Sequence, residues 1–381
     1  MSPASTFAPS HDGPVNGSGV RTGYRQWMSP VDQADLRARV EKALATFIAQ
    51  QRTLLAGIDP ALDPVADTIE AFVMGGGKRL RPAFAYWGFR GAGGVDSDEV
   101  VGAVAALEFV QASALIHDDV MDASDTRRGE PAVHRRFATM HADHGWEGDP
   151  EAFGAGSAIL LGDLCLAWSD ELLRCSGLGT GALLRARPVF DLMRTEVIAG
   201  QYLDVHAQVT ADSSLQRATT VARYKSAKYT VERPLLLGAA IADATVEISS
   251  AYSAYGLPLG EAFQLRDDVL GVFGDPAVTG KPAGDDLREG KRTYLVAAAV
   301  AAADPTTAAQ LRESLGDLDL DDSGVNRLRE IIVGTGALDR TERRIASLTD
   351  AALAALNRIS LADEAAEMLT DLARAATRRA G

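Results

Sequence analysis

The sequence predicts an all-α protein, and three observations carry this prediction. Ala, Leu, Glu and Arg are abundant, and apolar residues recur at helical spacing along nearly the whole chain. No run of alternating polar and apolar residues flanks an Asn-Gly turn, so no β-hairpin is indicated. With 46% hydrophobic residues and no evident linker, residues 24–381 are predicted to bury one large core as a single domain.

The N-terminal 23 residues are rich in Ser, Pro and Gly and contain no apolar segment, which predicts a disordered tail. The segment His141–Gly156 contains Gly, Asp and Pro and is predicted to be a surface loop. Besides several short segments near the C-terminus, helices are predicted for Pro30–Gly57, Pro64–Met74, Pro82–Gly91, Ser97–Asp122, Gly156–Ser176, Pro188–Gln208, Ser214–Ser226, Val231–Ala242, Val246–Val272 and Thr293–Ala303.

Charge and cysteine content narrow the classes of function. The formal net charge is −14, from 52 acidic and 38 basic residues, which argues against a nucleic-acid surface. Cys165 and Cys175 lie in an apolar helical stretch and are expected to be buried free thiols in a reducing compartment. The apolar run Leu295–Ala303 is too short to cross a bilayer. We therefore expect a cytoplasmic protein without a transmembrane segment.

Two pairs of adjacent aspartates, Asp118-Asp119 and Asp267-Asp268, each follow an apolar helical run. Asp122 follows the first pair, and residues four apart share one helix face, so Asp118 and Asp122 project side by side. Their like charges repel, and the C-terminal end of a helix disfavours anions. A bound cation would resolve both conflicts, and oxygen ligands favour Mg²⁺.

Basic residues accompany both aspartate clusters. Magnesium held by few carboxylates completes its shell with water and substrate phosphates. The run Gly75–Gly77 precedes Lys78, Arg79 and Arg81, at a place where the backbone can approach an anion. Further cations near the clusters are Arg127, Arg128, Lys225, Lys228, Lys281, Lys291 and Arg292. This alternation of acids and cations predicts a site for more than one polyphosphate group.

These residues resemble the trans-isoprenyl diphosphate synthases, also called polyprenyl synthetases, most closely the bacterial geranylgeranyl diphosphate synthase type. The resemblance extends from about Leu36 to the C-terminus and rests on five motifs in the family's order. They are Gly76–Pro82; Asp118–Asp122 with Arg127–Gly129; Gly200–Asp204; Lys225–Ala227; and Phe263–Asp268 with Gly290–Thr293.

The resemblance implies the isoprenoid synthase fold, with antiparallel helices around a central active-site cavity, and a homodimer. It implies that Asp118, Asp122 and Asp267 ligate Mg²⁺, with Asp119 and Asp268 holding metal-bound waters. It assigns the remaining substrate contacts by role. The allylic diphosphate (dimethylallyl, geranyl or farnesyl) would contact Arg127, Lys225, Gln264 and Lys291. Isopentenyl diphosphate would contact Lys78, Arg81 and Arg128. The remaining substrate-binding residues would be Gln111, Ser226 and Lys281.

The implied reaction begins with ionisation of the allylic diphosphate. The double bond of isopentenyl diphosphate then attacks the allylic cation, and a proton is lost to give a product one five-carbon unit longer. In the family the released diphosphate takes this proton, so no side chain is named as the base. Three residues depart from the family pattern: Gln111 stands in place of a histidine, Gly271 in place of a third aspartate, and Ser226 in place of a threonine.

The resemblance also bears on product length. Family members close the floor of the cavity with bulky residues four and five positions before the first aspartate. Here these positions are the small residues Ala114 and Ser113, so we expect a deeper floor, at Val110 or Phe109. The hypothesis is a C20 product, geranylgeranyl diphosphate, with farnesyl diphosphate and C30 or longer products as alternatives.

Two other functional classes share part of this pattern. Class I terpene cyclases use the same helical fold and a first aspartate-rich motif, but usually carry an Asn/Asp, Ser/Thr and Glu triad as the second. They also lack the basic motifs for a second diphosphate, which Lys78 and Arg81 supply here. Non-catalytic partner subunits typically lose the aspartates that this chain retains.

Overall fold

The computed structural model describes residues 35–275, 284–317 and 319–377. The predicted N-terminal tail and Lys281 lie outside the described residues. Among these described residues, one short antiparallel ladder, β1 (Thr126–Arg127) with β2 (Glu130–Pro131), interrupts a helical fold. The helices are α1 Leu36–Ile58, α2 Asp63–Met74, α3 Leu80–Gly91, α4 Asp98–Met121, α5 Val133–His144, α6 Pro150–Arg174, α7 Thr180–Val209, α8 Leu215–Val221, α9 Arg233–Ile241, α10 Val246–Phe273, α11 Asp285–Arg288, α12 Tyr294–Ala302, α13 Pro305–Ser314, α14 Asp322–Gly334, α15 Ala337–Leu356 and α16 Asp363–Thr377.

The all-α prediction is confirmed, but the loop predicted for His141–Gly156 is wrong at both ends. Helix α5 reaches His144 and buries Val133 and Phe137 against α6. Helix α6 begins at Pro150, and the Asp149 side chain caps it by accepting a hydrogen bond from the backbone N–H of Glu151. An acidic cap followed by proline is a start signal that the sequence did contain.

Two further expectations need correction. Helix α7 begins at Thr180 and carries Pro188 in its interior, so the proline does not start the helix as expected. Cys165 is buried as predicted, but Cys175 follows the last residue of α6 and is exposed. Both cysteines are free thiols.

Helix α4 is the central element of the larger hydrophobic core. It packs against α1, α3 and α6, and most of its residues are buried. A smaller apolar cluster forms between α10, α11, α12, α13, α14 and α15. Helix α10 serves both cores, because Phe263 belongs to the first and Val269 to the second. The two aspartate clusters therefore lie on two of the most firmly packed helices.

Helices α4 and α6 are long and apolar enough to cross a bilayer by length and composition alone. In the fold α4 is a core helix, with 78% of its apolar window buried. Helix α6 is 39% buried over its apolar window and leaves Ile159 and Leu160 exposed.

A π-helical segment, Ala222–Glu232, lies between α8 and α9 and contains Lys225. It packs closely against α7, where an ideal Cβ atom at Gly200 would lie 2.3 Å from the backbone nitrogen of Lys225. Only glycine permits this approach. π-Helical turns are rare and occur often at functional sites, and this one directs Lys225 towards the end of α4.

Candidate active site

The C-terminal end of α4 carries the first aspartate cluster. Asp118 and Asp119 are buried in its last turn, and Asp122 is the residue that ends the helix. Asp118 Oδ1 accepts hydrogen bonds from Gln201 Nε2 at 2.9 Å and from Lys225 Nζ at 3.1 Å. Asp119 Oδ1 accepts from Arg127 Nε at 2.9 Å. Each of these carboxylates therefore has a fixed cationic neighbour.

Lys225 is held between two acidic side chains. Its Nζ lies 2.7 Å from Asp204 Oδ2 as well as 3.1 Å from Asp118 Oδ1. Burial by itself would lower the pKa of Lys225, but Asp118 and Asp204 raise it above its ordinary value, so the lysine is charged. The sequence predicts no role for Asp204 or Gln201, although both lie in the motif Gly200–Asp204.

Lys291 joins the two acidic sides of the site. Its Nζ lies 3.1 Å from Asp122 Oδ2, 3.5 Å from Asp286 Oδ1 and 2.6 Å from Glu289 Oε2. Ser124 Oγ donates to Glu289 Oε1 at 2.9 Å, which ties the segment after α11 to the end of α4. The sequence does not predict the acidic side chains Asp286 and Glu289 as site residues.

The second aspartate cluster lies near the C-terminal end of α10. Asp268 is buried, and its Oδ1 accepts a hydrogen bond from Gln264 Nε2 at 2.7 Å. Asp267 is half-buried on the neighbouring position. Gln264 was expected to contact a diphosphate, and in this structure it orients Asp268.

The titration behaviour of the aspartates follows from their different neighbours. Burial alone would raise the pKa of Asp118, but the charges of Lys225, Lys291 and Arg127 outweigh burial and hold it well below its ordinary value. Burial raises the pKa of Asp122; the charge of Lys291 opposes this rise, and that of Asp118 adds to it. Burial, reinforced by Asp286 and Asp267, raises the pKa of Asp268 to about 7.

The residues predicted for isopentenyl diphosphate form a second, basic region. Arg81 Nη2 donates to Thr230 Oγ1 at 2.8 Å, and the guanidinium lies 4.2 Å from the centroid of the Tyr229 ring. Tyr229 Oη donates to Gln111 Oε1 at 2.8 Å. The backbone carbonyl of Gly76 accepts from Arg128 Nη1 at 3.0 Å.

The other residues of this basic region differ from one another in solvent exposure. Lys78 is exposed, and Ser226 is buried in the π-helical segment. Burial lowers the pKa of Arg128, and the charges of Arg79, Arg127 and Arg81 lower it further, while Glu108 opposes them. An anion that binds among these arginines would relieve their mutual repulsion.

A buried ion pair that the sequence does not predict lies beneath the basic region. Arg79 Nη1 lies 2.5 Å from Glu108 Oε2, and Arg79 Nη2 donates to the backbone carbonyl of Val73 at 2.8 Å. Both charged side chains are nearly inaccessible, at 2% and 8% exposure. Glu108 lies one turn before Gln111 on α4, so this pair anchors the glycine-rich segment to the helix that carries the aspartates.

The donor set suits a hard divalent cation such as Mg²⁺. The candidate ligands are carboxylate oxygens, and Asp122 Oδ2 is buried, with Lys291 Nζ 3.1 Å away in an ion pair that lacks hydrogen-bond geometry. Within the described ranges, no three acidic, histidine or cysteine side chains lie close enough together to hold a metal ion by themselves. An open arrangement fits Mg²⁺, which keeps waters and substrate phosphates in its shell.

The residues predicted to set product length lie on α4 before the aspartates. Ser113, Val110 and Phe109 are buried, and Ala114 is half-buried. The Phe109 ring packs edge to face against Phe47, at 5.4 Å between centroids, and against Trp168, at 5.9 Å. Phe109 is thereby fixed within a three-ring aromatic layer between α1, α4 and α6.

Comparison with known proteins bears on the fold and the family of the chain. The family model described as polyprenyl synthetase matches residues 63–332. A crystal structure of geranylgeranyl pyrophosphate synthase from Corynebacterium glutamicum, complexed with isoprenyl diphosphate and magnesium, superposes with a TM-score of 0.88. The two sequences are 43% identical, and the match covers 91% of this chain and 99% of that chain.

Curated relatives include enzymes with different named products. The chain is 33% identical over 304 residues to a geranylfarnesyl diphosphate synthase from Aeropyrum pernix, covering 79% of this chain and 89% of the relative. It is 32% identical over 301 residues to a (2E,6E)-farnesyl diphosphate synthase from Mycobacterium tuberculosis, covering 78% of each. With these matches and the helical fold, the chain belongs to the polyprenyl synthetase family and is a trans-isoprenyl diphosphate synthase.

Proposed function

We propose that this enzyme condenses isopentenyl diphosphate with an allylic diphosphate in a Mg²⁺-dependent reaction and releases geranylgeranyl diphosphate. One observation carries the proposal: Lys225 and Lys291 connect carboxylates from separate helices within a single site. Such an arrangement of alternating charge binds a metal–diphosphate group. The basic region around Arg81 and Arg128 provides for a second diphosphate.

Asp118, Asp122 and Asp267 would hold the metal, with Asp119 and Asp268 acting through bound waters. Magnesium, when bound, stabilises the negative charge that develops on the departing diphosphate. Lys225, Lys291 and Arg127 would contact the diphosphate oxygens, with Gln264 and Lys281 completing the set. Because carboxylates hold Lys225, Lys291 and Arg127 in place before substrate binds, these three cations stabilise the leaving group without further reorganisation.

Isopentenyl diphosphate would bind to Lys78, Arg81 and Arg128, with Ser226 nearby on the π-helical segment. Gln111 replaces the histidine of the family pattern and contributes no positive charge. Since Tyr229 donates to Gln111 Oε1, the amide NH₂ group points away from Tyr229 and can donate to an anion. The Arg81 guanidinium stacked on Tyr229 supplies a fixed positive charge close to this pair.

The C20 product length follows from the small side chains at Ser113 and Ala114. They leave room for a growing chain to pass the helical turn of α4 that directly precedes Asp118. Val110 and Phe109 lie one turn deeper, and the contacts of Phe109 with Phe47 and Trp168 make it a rigid floor. Farnesyl diphosphate would require an earlier floor, and a C30 or longer product would require displacement of this aromatic layer.

We further propose a homodimer in the cytoplasm. Helices α6 and α7 expose several large apolar side chains that a second copy of the chain would cover. These are Ile159, Leu160, Leu184, Ile198 and Tyr202. Light scattering of the purified protein should then give twice the monomer mass of 40.2 kDa. A monomeric mass would overturn the dimer without affecting the assigned chemistry.

Product analysis by mass spectrometry tests the proposed reaction. The purified enzyme is incubated with Mg²⁺, labelled isopentenyl diphosphate and dimethylallyl, geranyl or farnesyl diphosphate in turn. We expect a C20 diphosphate from each primer. Asp118→Ala should abolish it, whereas Asp143→Ala, at an exposed position on α5, should not.

Other products would distinguish the alternatives. A diphosphate product of C15, or of C30 or longer, would support the proposed reaction but show that the cavity floor lies at another position. A cyclic hydrocarbon in place of a diphosphate would indicate a terpene cyclase. No product from any primer, with a folded protein, would favour a non-catalytic subunit.

A further inference from the structure

Gly271 leaves a gap in the second aspartate cluster that a different residue fills. Gly271 lies one helical turn after Asp267 on α10, at the position of the third aspartate in the family pattern. An ideal Cβ atom at Gly271 would lie 1.8 Å from Asp286 Oδ2 and 2.5 Å from Asp286 Cγ. The carboxylate of Asp286 therefore occupies the volume that a side chain at position 271 would need.

Asp286 reaches this position from α11, and its contacts tie it to the site. Its backbone carbonyl accepts a hydrogen bond from the backbone N–H of Lys291 at 3.0 Å. Its Oδ1 lies 3.5 Å from Lys291 Nζ, which in turn lies 3.1 Å from Asp122 Oδ2. The side chain is only 17% exposed. Asp286 thus belongs to the charge network that joins the two aspartate clusters.

We propose that Asp286 is the third carboxylate of the second metal-binding cluster and replaces the side chain that Gly271 lacks. The proposal rests on the proposed function, because the ligand is the Mg²⁺ of the diphosphate site. The carboxylate reaches the same place from another segment of the chain, while a glycine at position 271 makes room for it. Any side chain at position 271 would displace Asp286 from this position.

The isosteric variant Asp286→Asn tests the proposed ligand by metal binding rather than by activity. Mn²⁺, a paramagnetic substitute for Mg²⁺, is titrated into the protein with inorganic diphosphate, and free Mn²⁺ is followed by electron paramagnetic resonance. We expect Asp286→Asn to weaken Mn²⁺ binding at least about tenfold, the lower end of the effect of removing even a group that only supports a metal ligand. Asp322→Asn, at a 96% exposed position near the same segment, is the control and should bind as the wild type does.

Moving the carboxylate from position 286 to position 271 gives a sharper test. Gly271→Asp alone should also weaken Mn²⁺ binding, because two carboxylates would then compete for one volume. The double variant Gly271→Asp/Asp286→Ala should recover most of the wild-type affinity, with the fold of each variant checked by circular dichroism. Unchanged binding in Asp286→Asn, or no recovery in the double variant, would overturn the proposal.

Measurements on the wild type and on Asp286→Asn distinguish a failure of this proposal from a failure of the proposed function. If the wild type makes no prenyl diphosphate, the proposed function fails. If it does so while Asp286→Asn binds Mn²⁺ as tightly as the wild type, only the role of Asp286 is refuted.

Discussion

Lys291 Nζ lies 3.1 Å from Asp122 Oδ2 and thereby connects the end of α4 to the segment that follows α11. The same ammonium group also faces Asp286 and Glu289. Its pKa lies well above the ordinary value, because these acidic neighbours outweigh the effect of burial. A single lysine therefore neutralises acids from both sides of the site before any metal binds.

Replacing Lys291 by methionine should destabilise the metal-free protein by about 3–5 kcal/mol, the usual result of leaving buried charges uncompensated. Because Asp122, Asp286 and Glu289 would then repel one another, added Mg²⁺ should raise the Tm of Lys291→Met more than that of the wild type. Thermal melts with EDTA and with Mg²⁺ measure both effects. Lys42→Met, at an exposed position on α1, is the matched control. Equal Mg²⁺-induced shifts in Lys291→Met and wild type would contradict this account.

The first aspartate cluster could be predicted because its evidence is local. Two like charges four residues apart at a helix end conflict with helix electrostatics, whatever the rest of the fold. The partners of these aspartates could not be predicted in the same way. Gln201 is 83 positions from Asp118, and Lys225 is 107 positions away, so only the packing of α7 and the π-helical segment brings them together.

The sequence also does not predict the π-helical segment. Helices were predicted over Ser214–Ser226 and Val231–Ala242, whereas Ala222–Glu232 is continuous and π-helical. Side-chain propensities do not distinguish α from π backbone, because both place similar side chains on a helical surface. The widened turn is instead set by tertiary contacts, among them the close approach at Gly200. The position of Asp286 beside Gly271 is likewise a property of the fold and not of the local sequence.

The raised pKa of Asp268 predicts a pH dependence of stability in the metal-free protein. Its pKa is about 7 in the folded protein against an ordinary value of 3.8. The folded state therefore holds a proton that the unfolded chain has already lost between these values. Stability should decrease as pH rises from about 4 to about 7, and this contribution should then level off. Since metal binding requires the carboxylate, Mg²⁺ affinity should increase over the same range.

Urea denaturation in EDTA at several pH values measures this contribution. Asp268→Asn keeps the shape of the protonated acid but cannot titrate, so its stability should fall less than that of the wild type over this range. Parallel pH profiles for the two proteins would show that Asp268 does not titrate in this window.

Ser113→Phe should shorten the product from C20 to C15. Ser113 is buried one helical turn above Phe109, so a phenyl ring there would close the cavity before it reaches the aromatic layer. Mass spectrometry of the product diphosphates gives the chain-length distribution. Ser113→Ala, which adds no bulk, should leave the distribution unchanged. An unaltered C20 product from Ser113→Phe would mean that the growing chain does not pass this position.

Truncation of the aromatic layer should act in the opposite direction. Phe109→Ala would remove the ring that Phe47 and Trp168 hold in place and leave a cavity below Ser113. The variant should lose about 3–5 kcal/mol of stability and form products longer than C20. If the protein remains folded and its product is still C20, the floor lies elsewhere.

The buried pair of Arg79 and Glu108 should support the isopentenyl diphosphate region without touching substrate. Arg79 has a left-handed backbone conformation, with φ of 48°, directly before α3, so its side-chain anchor fixes the start of the helix that carries Arg81. Arg79→Met should destabilise the protein by about 3–5 kcal/mol, because Glu108 would remain buried without a partner. It should also raise KM for isopentenyl diphosphate more than KM for the allylic substrate. The double variant Arg79→Met/Glu108→Leu should recover most of the stability, since no unpaired charge remains. Recovery of stability without recovery of KM would show that Arg79 positions the basic region, whereas an unchanged KM in both variants would limit the pair to a structural role.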